Sequence, residues 1–327
     1  MHSNETTELG RNATDPRQIP LRGWWAIVKR VADQLTRDHV PVVAAGVAFF
    51  SFLSIFPAIA GFVILYGLVA DPAMVTEQLA PIRGLVPGEV FELLATQLEQ
   101  VSGTTDGRLG FGLLVSLGFA IWSSAKGSTA LLSAMDIAYN EPHRTGWVWP
   151  RVIALLFTLA GLLFAVLAVG LLAAVPAAVT LLAVEDPISS LLLGLRWVLL
   201  AIVLLLALGA LYRYGPNRRS ARLAWVTPGS ILATVVWLAA SWGFARYVAN
   251  VDNYNETFGT LGAVVILLLW LYISAYIICL GAELNSELEL HTDADTTVGR
   301  WRPKGSREAY VADHARPEDD PNRDGRD

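Results

Sequence analysis

The run from Phe258 to Gly281, FGTLGAVVILLLWLYISAYIICLG, carries no charged side chain and continues directly into Ala282, Glu283, Leu284 and Asn285. At ~1.5 Å rise per residue it is long enough to cross a hydrocarbon layer ~30 Å thick, so it predicts a transmembrane helix. A soluble core helix of that length would alternate polar and apolar faces. The polar lead-in Asp252-Asn253-Tyr254-Asn255-Glu256 and the carboxylate of Glu283 frame the run.

Five further apolar stretches repeat the pattern. The predicted spans are 42–69, 109–125, 152–176, 188–211, 223–245 and 258–281, which fits a chain that is 54% hydrophobic and 16% charged. Pro57 falls near the middle of the first span, where its missing donor predicts a kink facing protein or a cavity. The small and polar run Ser123 to Thr129 predicts a break or bend near Lys126-Gly127. Amphipathic interfacial helices are expected around Trp24, Ile27, Val28, Val31 and Leu35, and around Val90, Leu93, Leu94, Leu98 and Val101. Residues 1–20 form a polar arm and 291–327 an acidic tail, both expected to be disordered. The polar start also lacks the apolar core of a signal peptide, so insertion is expected to begin at the first internal span. The fold class expected is therefore an all-α integral membrane protein, a six-transmembrane-helix bundle over 21–290 with disordered termini.

Orientation follows from Lys and Arg. The arm carries Arg11, Arg17, Arg22, Lys29, Arg30 and Arg37, and the loops after spans two and four carry Arg144, Arg151, Arg213, Arg218, Arg219 and Arg222. The other side offers Arg83 and Arg108 among many carboxylates. Both termini of the multi-pass chain are thereby expected in the cytoplasm.

The candidate site residues are Lys126, Asp136, Arg213, Asn217, Glu283 and Asn285. A charge at membrane depth is costly unless paired or wet, so these positions are either ties between helices or the lining of a polar vestibule that admits a head group or small solute. Trp147, Trp149, Trp225, Trp237 and Trp242 near span ends fit an aromatic belt. Catalytic constellations are absent from the sequence. His2, His39, His143, His291 and His314 are scattered without HxH or HExxH pairing, and neither a GxxxxGK[ST] loop nor a GxSxG elbow occurs. No metal, cofactor or enzymatic activity is expected, and the lone Cys279 allows no intramolecular disulfide.

YRYGPNRR at Tyr212–Arg219 and the run from Trp225 to Leu288, with NETFGTLGA and GAELN inside it, resemble the YihY/BrkB family of inner-membrane proteins. So do AAGVAFFSFLSIFPAIAG at Ala44–Gly61 and WSSAKGSTALLSAMDIAY at Trp122–Tyr139. The similarity covers Trp24 to Leu288, and Asp136 departs from it, since the family's usual residue there is Asn. The resemblance implies a six-span helical fold without an agreed activity. Some members carry the name ribonuclease BN, but a zinc-dependent tRNA nuclease needs a His/Asp cluster that this sequence lacks, so no nucleic-acid partner is expected. Others are described as virulence-associated or as exporters, which implies a transporter of a lipid-like or small amphipathic envelope substrate; the alternative is a non-catalytic scaffold for envelope assembly. The expected partners are the lipid bilayer and that substrate. Gly259, Gly262 and Ala263 allow close packing within one bundle or in a homo-oligomer.

Overall fold

The computed structural model describes residues 9–69, 109–144, 146, 148–181, 186–249 and 260–314. The helices are α1 (Leu21–Arg37), α2 (Val40–Val69), α3 (Leu109–Ala138), α4 (Trp149–Leu181), α5 (Ile188–Tyr214), α6 (Leu223–Ala249), α7 (Thr260–His291) and the single turn α8 (Tyr310–Asp313). A short 3-10 turn at Pro16–Gln18 precedes them, its first donor satisfied where Arg17 N–H bonds the Asp15 carboxylate at 2.9 Å. Among the described residues there is no β-strand, only the isolated bridge Ala221–Thr297.

The six helices α2 to α7 form a closed ring in chain order, each packed on its sequence neighbour, with α7 returning to α2. Among the described residues four stretches are long and apolar enough to cross a membrane: Val40–Pro57, Ile188–Tyr214, Leu223–Val248 and Val264–His291. Stubs of αL backbone end two helices where the chain turns sharply, at His39 after α1 (φ 49°) and Asn140 after α3 (φ 54°).

Several expectations change. α3 runs unbroken from Leu109 to Ala138, so the predicted break at Lys126-Gly127 does not occur. The small residues there serve close packing. Gly127 N–H donates to Ser54 Oγ at 2.9 Å, and a Cβ on Gly127 would lie 3.0 Å from the Ser51 backbone. Small polar residues in lipid thus mark a contact between α2 and α3, reinforced beside α4 by the Ser128–Thr158 hydroxyl pair at 2.9 Å. α2 runs from Val40 to Val69 with Pro57 inside it. The helix predicted around Val90 to Val101 and the lead-in Asp252 to Glu256 lie outside the described residues.

The termini are the larger correction. α7 does not stop near Gly281 but extends to His291, and every residue from Gly281 to Thr292 is buried. What buries it is the arm and tail expected to be disordered: residues 9–20 and 292–314 fold over this end of the ring. Ala13 and Ile19 of the arm join Ile27 and Val31 of α1, Trp225 of α6, and Leu284 and Leu288 of α7 in one apolar cluster. Each fully buried Ile, Leu or Val side chain in it contributes about 1.5–3 kcal/mol. Trp225 is accordingly core, 1% exposed, not part of an aromatic belt. Residues 1–8 and 315–327 lie outside the described residues.

Candidate functional site

The polar centre of the molecule is this capped end, and α7 is its axis. Glu283, Glu287 and Glu289 are all fully buried there. Glu283 and Glu287 are four apart, on one helix face where like charges repel, and cations arrive from elsewhere in the chain. Arg30 of α1 donates from Nε to Glu287 Oε2 at 3.0 Å and from Nη2 to His291 Nδ1 at 2.9 Å. A guanidinium can only donate, so Nδ1 accepts and Nε2 carries the proton, which it gives to the Leu9 carbonyl at 2.8 Å. Thr292 Oγ1 bonds the Ala13 carbonyl at 2.6 Å, and Asp293 N–H bonds the Arg11 carbonyl at 2.9 Å. Three backbone carbonyls of the arm are thus taken up by the end of α7.

The turn Gly215-Pro216-Asn217-Arg218-Arg219 makes the second set of contacts. Arg218 grips Glu289 with both arms of its fork, Nη1 to Oε2 at 3.1 Å and Nη2 to Oε1 at 2.5 Å, and both side chains are sealed from solvent. The guanidinium lies 4.3 Å over the Tyr139 ring, and Thr296 Oγ1 adds a bond to Glu289 Oε2 at 2.5 Å. Burial alone would lower the Arg218 pKa, but the Glu289 carboxylate outweighs it and raises it. The tail closes on the same turn: Arg219 N–H bonds the Glu308 carbonyl at 2.9 Å, Arg222 N–H bonds the Thr296 carbonyl at 2.8 Å, and Val298 N–H bonds the Ser220 carbonyl at 3.0 Å. Arg307 then holds the tail together by donating to the carbonyls of Ala294 at 2.9 Å and Ala312 at 2.6 Å.

Asp136 and Asn217 are brought together. The Asp136 carboxylate accepts the Asn217 N–H at 2.8 Å with His143 Nδ1 at 3.7 Å, and Asn217 Nδ2 donates to the Pro142 carbonyl at 3.0 Å. Arg144 caps the same turn through the Gly215 carbonyl at 2.7 Å. Asn285 sits one helix over, receiving Gly229 N–H on Oδ1 at 2.8 Å and giving Nδ2 to the Val226 carbonyl at 3.2 Å. Arg213, in the last turn of α5, stacks 5.3 Å from the Tyr214 ring. Lys126 stands apart: it is ten residues before Asp136 on one continuous helix, about 15 Å away along the axis. Its side chain is exposed, with Nζ 5.9 Å from the Trp122 ring. The structure therefore joins Asp136, Asn217 and Asn285 to helix-to-turn and helix-to-helix bonds, and places Lys126 on another surface.

The sequence reading missed Arg218, Glu289, Arg30, Glu287 and His291. One signal was available: three glutamates in seven residues at the end of an apolar helix require buried cations nearby.

Glu141, just past α3, accepts the Tyr310 N–H at 2.6 Å and so links α8 to the ring. Burial pushes its carboxyl up to about 7 against the Tyr310 bond that lowers it. A carboxyl raised from its ordinary 4.5 holds its proton longer in the folded state, so stability falls as pH rises between 4.5 and about 7. The expected outcome is weaker docking of α8 at pH 8 than at pH 6, and a flat response in Glu141→Gln. Hydrogen exchange at Tyr310, corrected for the intrinsic rate, reads this; a wild-type response as flat as that of the variant would contradict it.

The model of the Virulence factor BrkB family matches residues 31–306, and the chain belongs to that family. A Bacillus subtilis protein named ribonuclease-like protein YfkH is 29% identical over 269 residues, 80% of this chain and 95% of that protein. A UPF0761 membrane protein of Alteromonas mediterranea is 43% identical over 100 residues, 29% of this chain and 33% of its own. A UPF0761 membrane protein of Xanthomonas campestris is 38% identical over 78 residues, 24% of this chain and 18% of its own. No solved structure matches. Family and apolar helices together make this a membrane protein.

Proposed function

We propose that the chain is a six-span inner-membrane transporter, with both termini cytoplasmic, that moves a lipid-like or small amphipathic envelope molecule and performs no catalysis. The observation that carries this reading is where the ring is tight. Buried side chains gather at the capped end, as Val40 and Ala44 on α2, Leu208 and Leu211 on α5, and Val226 on α6. Farther along the same ring Phe56, Phe119, Leu191 and Trp242 are exposed. A bundle clamped at one end by such buried contacts is suited to rocking open on the other side around a fixed base. Arg30, Arg144, Arg218 and Arg222 all belong to the capped end, which supports placing it in the cytoplasm.

The chemistry of these side chains supports transport over catalysis. Among the described residues no three His, Cys, Asp or Glu side chains gather as metal ligands, and the buried Glu287 and Glu289 are bonded into the cap. Purified protein is expected to leave RNA intact with zinc or magnesium supplied. The direct test is reconstitution into vesicles with a panel of anionic, zwitterionic and neutral fluorescent amphiphiles. Movement of at least one class faster than in protein-free vesicles is the expected result; none across the panel would contradict it.

A further inference from the structure

On α3 the positions Val115, Phe119, Trp122 and Lys126 recur at spacings of four, three and four, which places them on one helix face. That whole face is exposed: Val115 by 55%, Phe119 by 64%, Trp122 by 50%, with Lys126 exposed beside them. Phe119 and Trp122 pair with centroids 6.0 Å apart. The stripe is apolar throughout and ends in one cation.

Depth is what makes that cation unusual. Gly127 is bonded to Ser54, which stands fourteen residues into α2, about 21 Å along the apolar stretch that begins at Val40. Lys126 therefore sits inside the layer, about 15 Å from Asp136 at the capped end. A lysine near an interface can extend its stem toward water. Here the ammonium lies back over Trp122, one turn farther from the capped end, in the direction that helical side chains lean. Among the described residues it meets that ring and no carboxylate. A cation on a lipid-facing surface at this depth is costly until an anion joins it.

We infer that the α3 face from Val115 to Lys126 is a binding site for an anionic amphiphile, whose charged head group pairs with Lys126 and whose chain lies along Trp122, Phe119 and Val115. The inference rests on the transport reading and names the substrate class for it. Charge complementarity selects the occupant: a zwitterionic or neutral amphiphile would leave the ammonium without its counter-charge, and a free anion would leave the apolar stripe uncovered. Close packing of α2 on α3 at Gly127 and Ser51 fixes the edge of the site, so it does not require the ring to open before binding.

The test is native mass spectrometry of the full chain in detergent, titrated with phosphatidylglycerol and with phosphatidylcholine of the same acyl chains. Wild type is expected to retain the first phosphatidylglycerol preferentially. Lys126→Gln should bind it about tenfold more weakly, since one desolvated ion pair is worth at least a decade, with phosphatidylcholine unchanged. Lys126→Arg should keep the preference, and Lys29→Gln, at an exposed position of α1, should not alter it. Equal retention of the two lipids by wild type would overturn the site whatever the variants do, and so would full preference in Lys126→Gln. Binding is read without flux. Selectivity at Lys126 with no movement in vesicles would therefore sink the transport reading alone, and movement without selectivity would sink the site alone.

Discussion

Arg218→Ala is expected to be the most damaging single truncation in the chain, lowering the apparent Tm of the solubilised protein by about 10 °C. The partner left behind, Glu289, is fully buried, with Thr296 as its other bond. Removing one member of a sealed ion pair leaves a stranded charge at a cost of about 3–5 kcal/mol, far more than the pair contributes on balance. The double variant Arg218→Met with Glu289→Leu should therefore recover most of the loss. Thermal melts of the three proteins decide it. A double variant as unstable as the single one would mean that the turn is held by something other than charge.

The second large effect belongs to Gly229 and Gly281, where α6 and α7 touch backbone to backbone. A Cβ on Gly229 would fall on the Gly281 carbonyl oxygen and 2.6 Å from the Asn285 amide; one on Gly281 would meet the Tyr212 hydroxyl and lie 2.8 Å from the Gly229 carbonyl oxygen. Backbone cannot retreat as a flexible side chain can. Gly281→Val should cost ~3 kcal/mol and leave little monodisperse protein on size exclusion. Gly243, on the same α6, has nothing within 4 Å of its Cβ position, so Gly243→Ala should elute as wild type does. Equal elution profiles for the two variants would show that this contact does not set the helix spacing.

Much of this architecture could be read from the residues, and the pattern of misses has a physical cause. Apolar runs report burial in lipid or protein, which is why α2 to α7 were legible as long helices. Periodicity carries no information about partners. Arg30 and Glu287 are 257 residues apart, and Arg218 and Glu289 are 71 apart, so only the fold could join them. The tail was misread because its charge density resembles that of a disordered segment. In the structure that charge is spent locally: the Asp295 carboxylate receives N–H bonds from Thr297 at 3.0 Å and Arg302 at 2.9 Å, and Asp313 receives one from Arg307 at 3.0 Å. Burial works against the Asp295 anion, but these bonds prevail and hold its carboxyl below the usual range. Gly127 was misread for the opposite reason. In water a Gly-Ser-Thr run interrupts a helix, whereas between two apolar helices it lets them approach. Asn217 and Asn285 were found through the segments in which they stand, and their bonds became visible only with Asp136 and Gly229 in place.

The measurement closest to the proposed mechanism compares the two ends of the ring, in a Cys279→Ser background, by spin-label distances in nanodiscs. One pair, His39 just before α2 and Tyr214 at the end of α5, spans the ring at the capped end; the other, Phe56 and Leu191, bridges α2 and α5 farther along, and all four side chains are exposed. A base that stays shut predicts a single narrow distance for His39–Tyr214 in every condition. The Phe56–Leu191 pair should show two populations whose ratio shifts when phosphatidylglycerol replaces phosphatidylcholine. One unchanging narrow distance at both ends would contradict a ring that opens, and broadening at the capped end would contradict the clamp on which it turns.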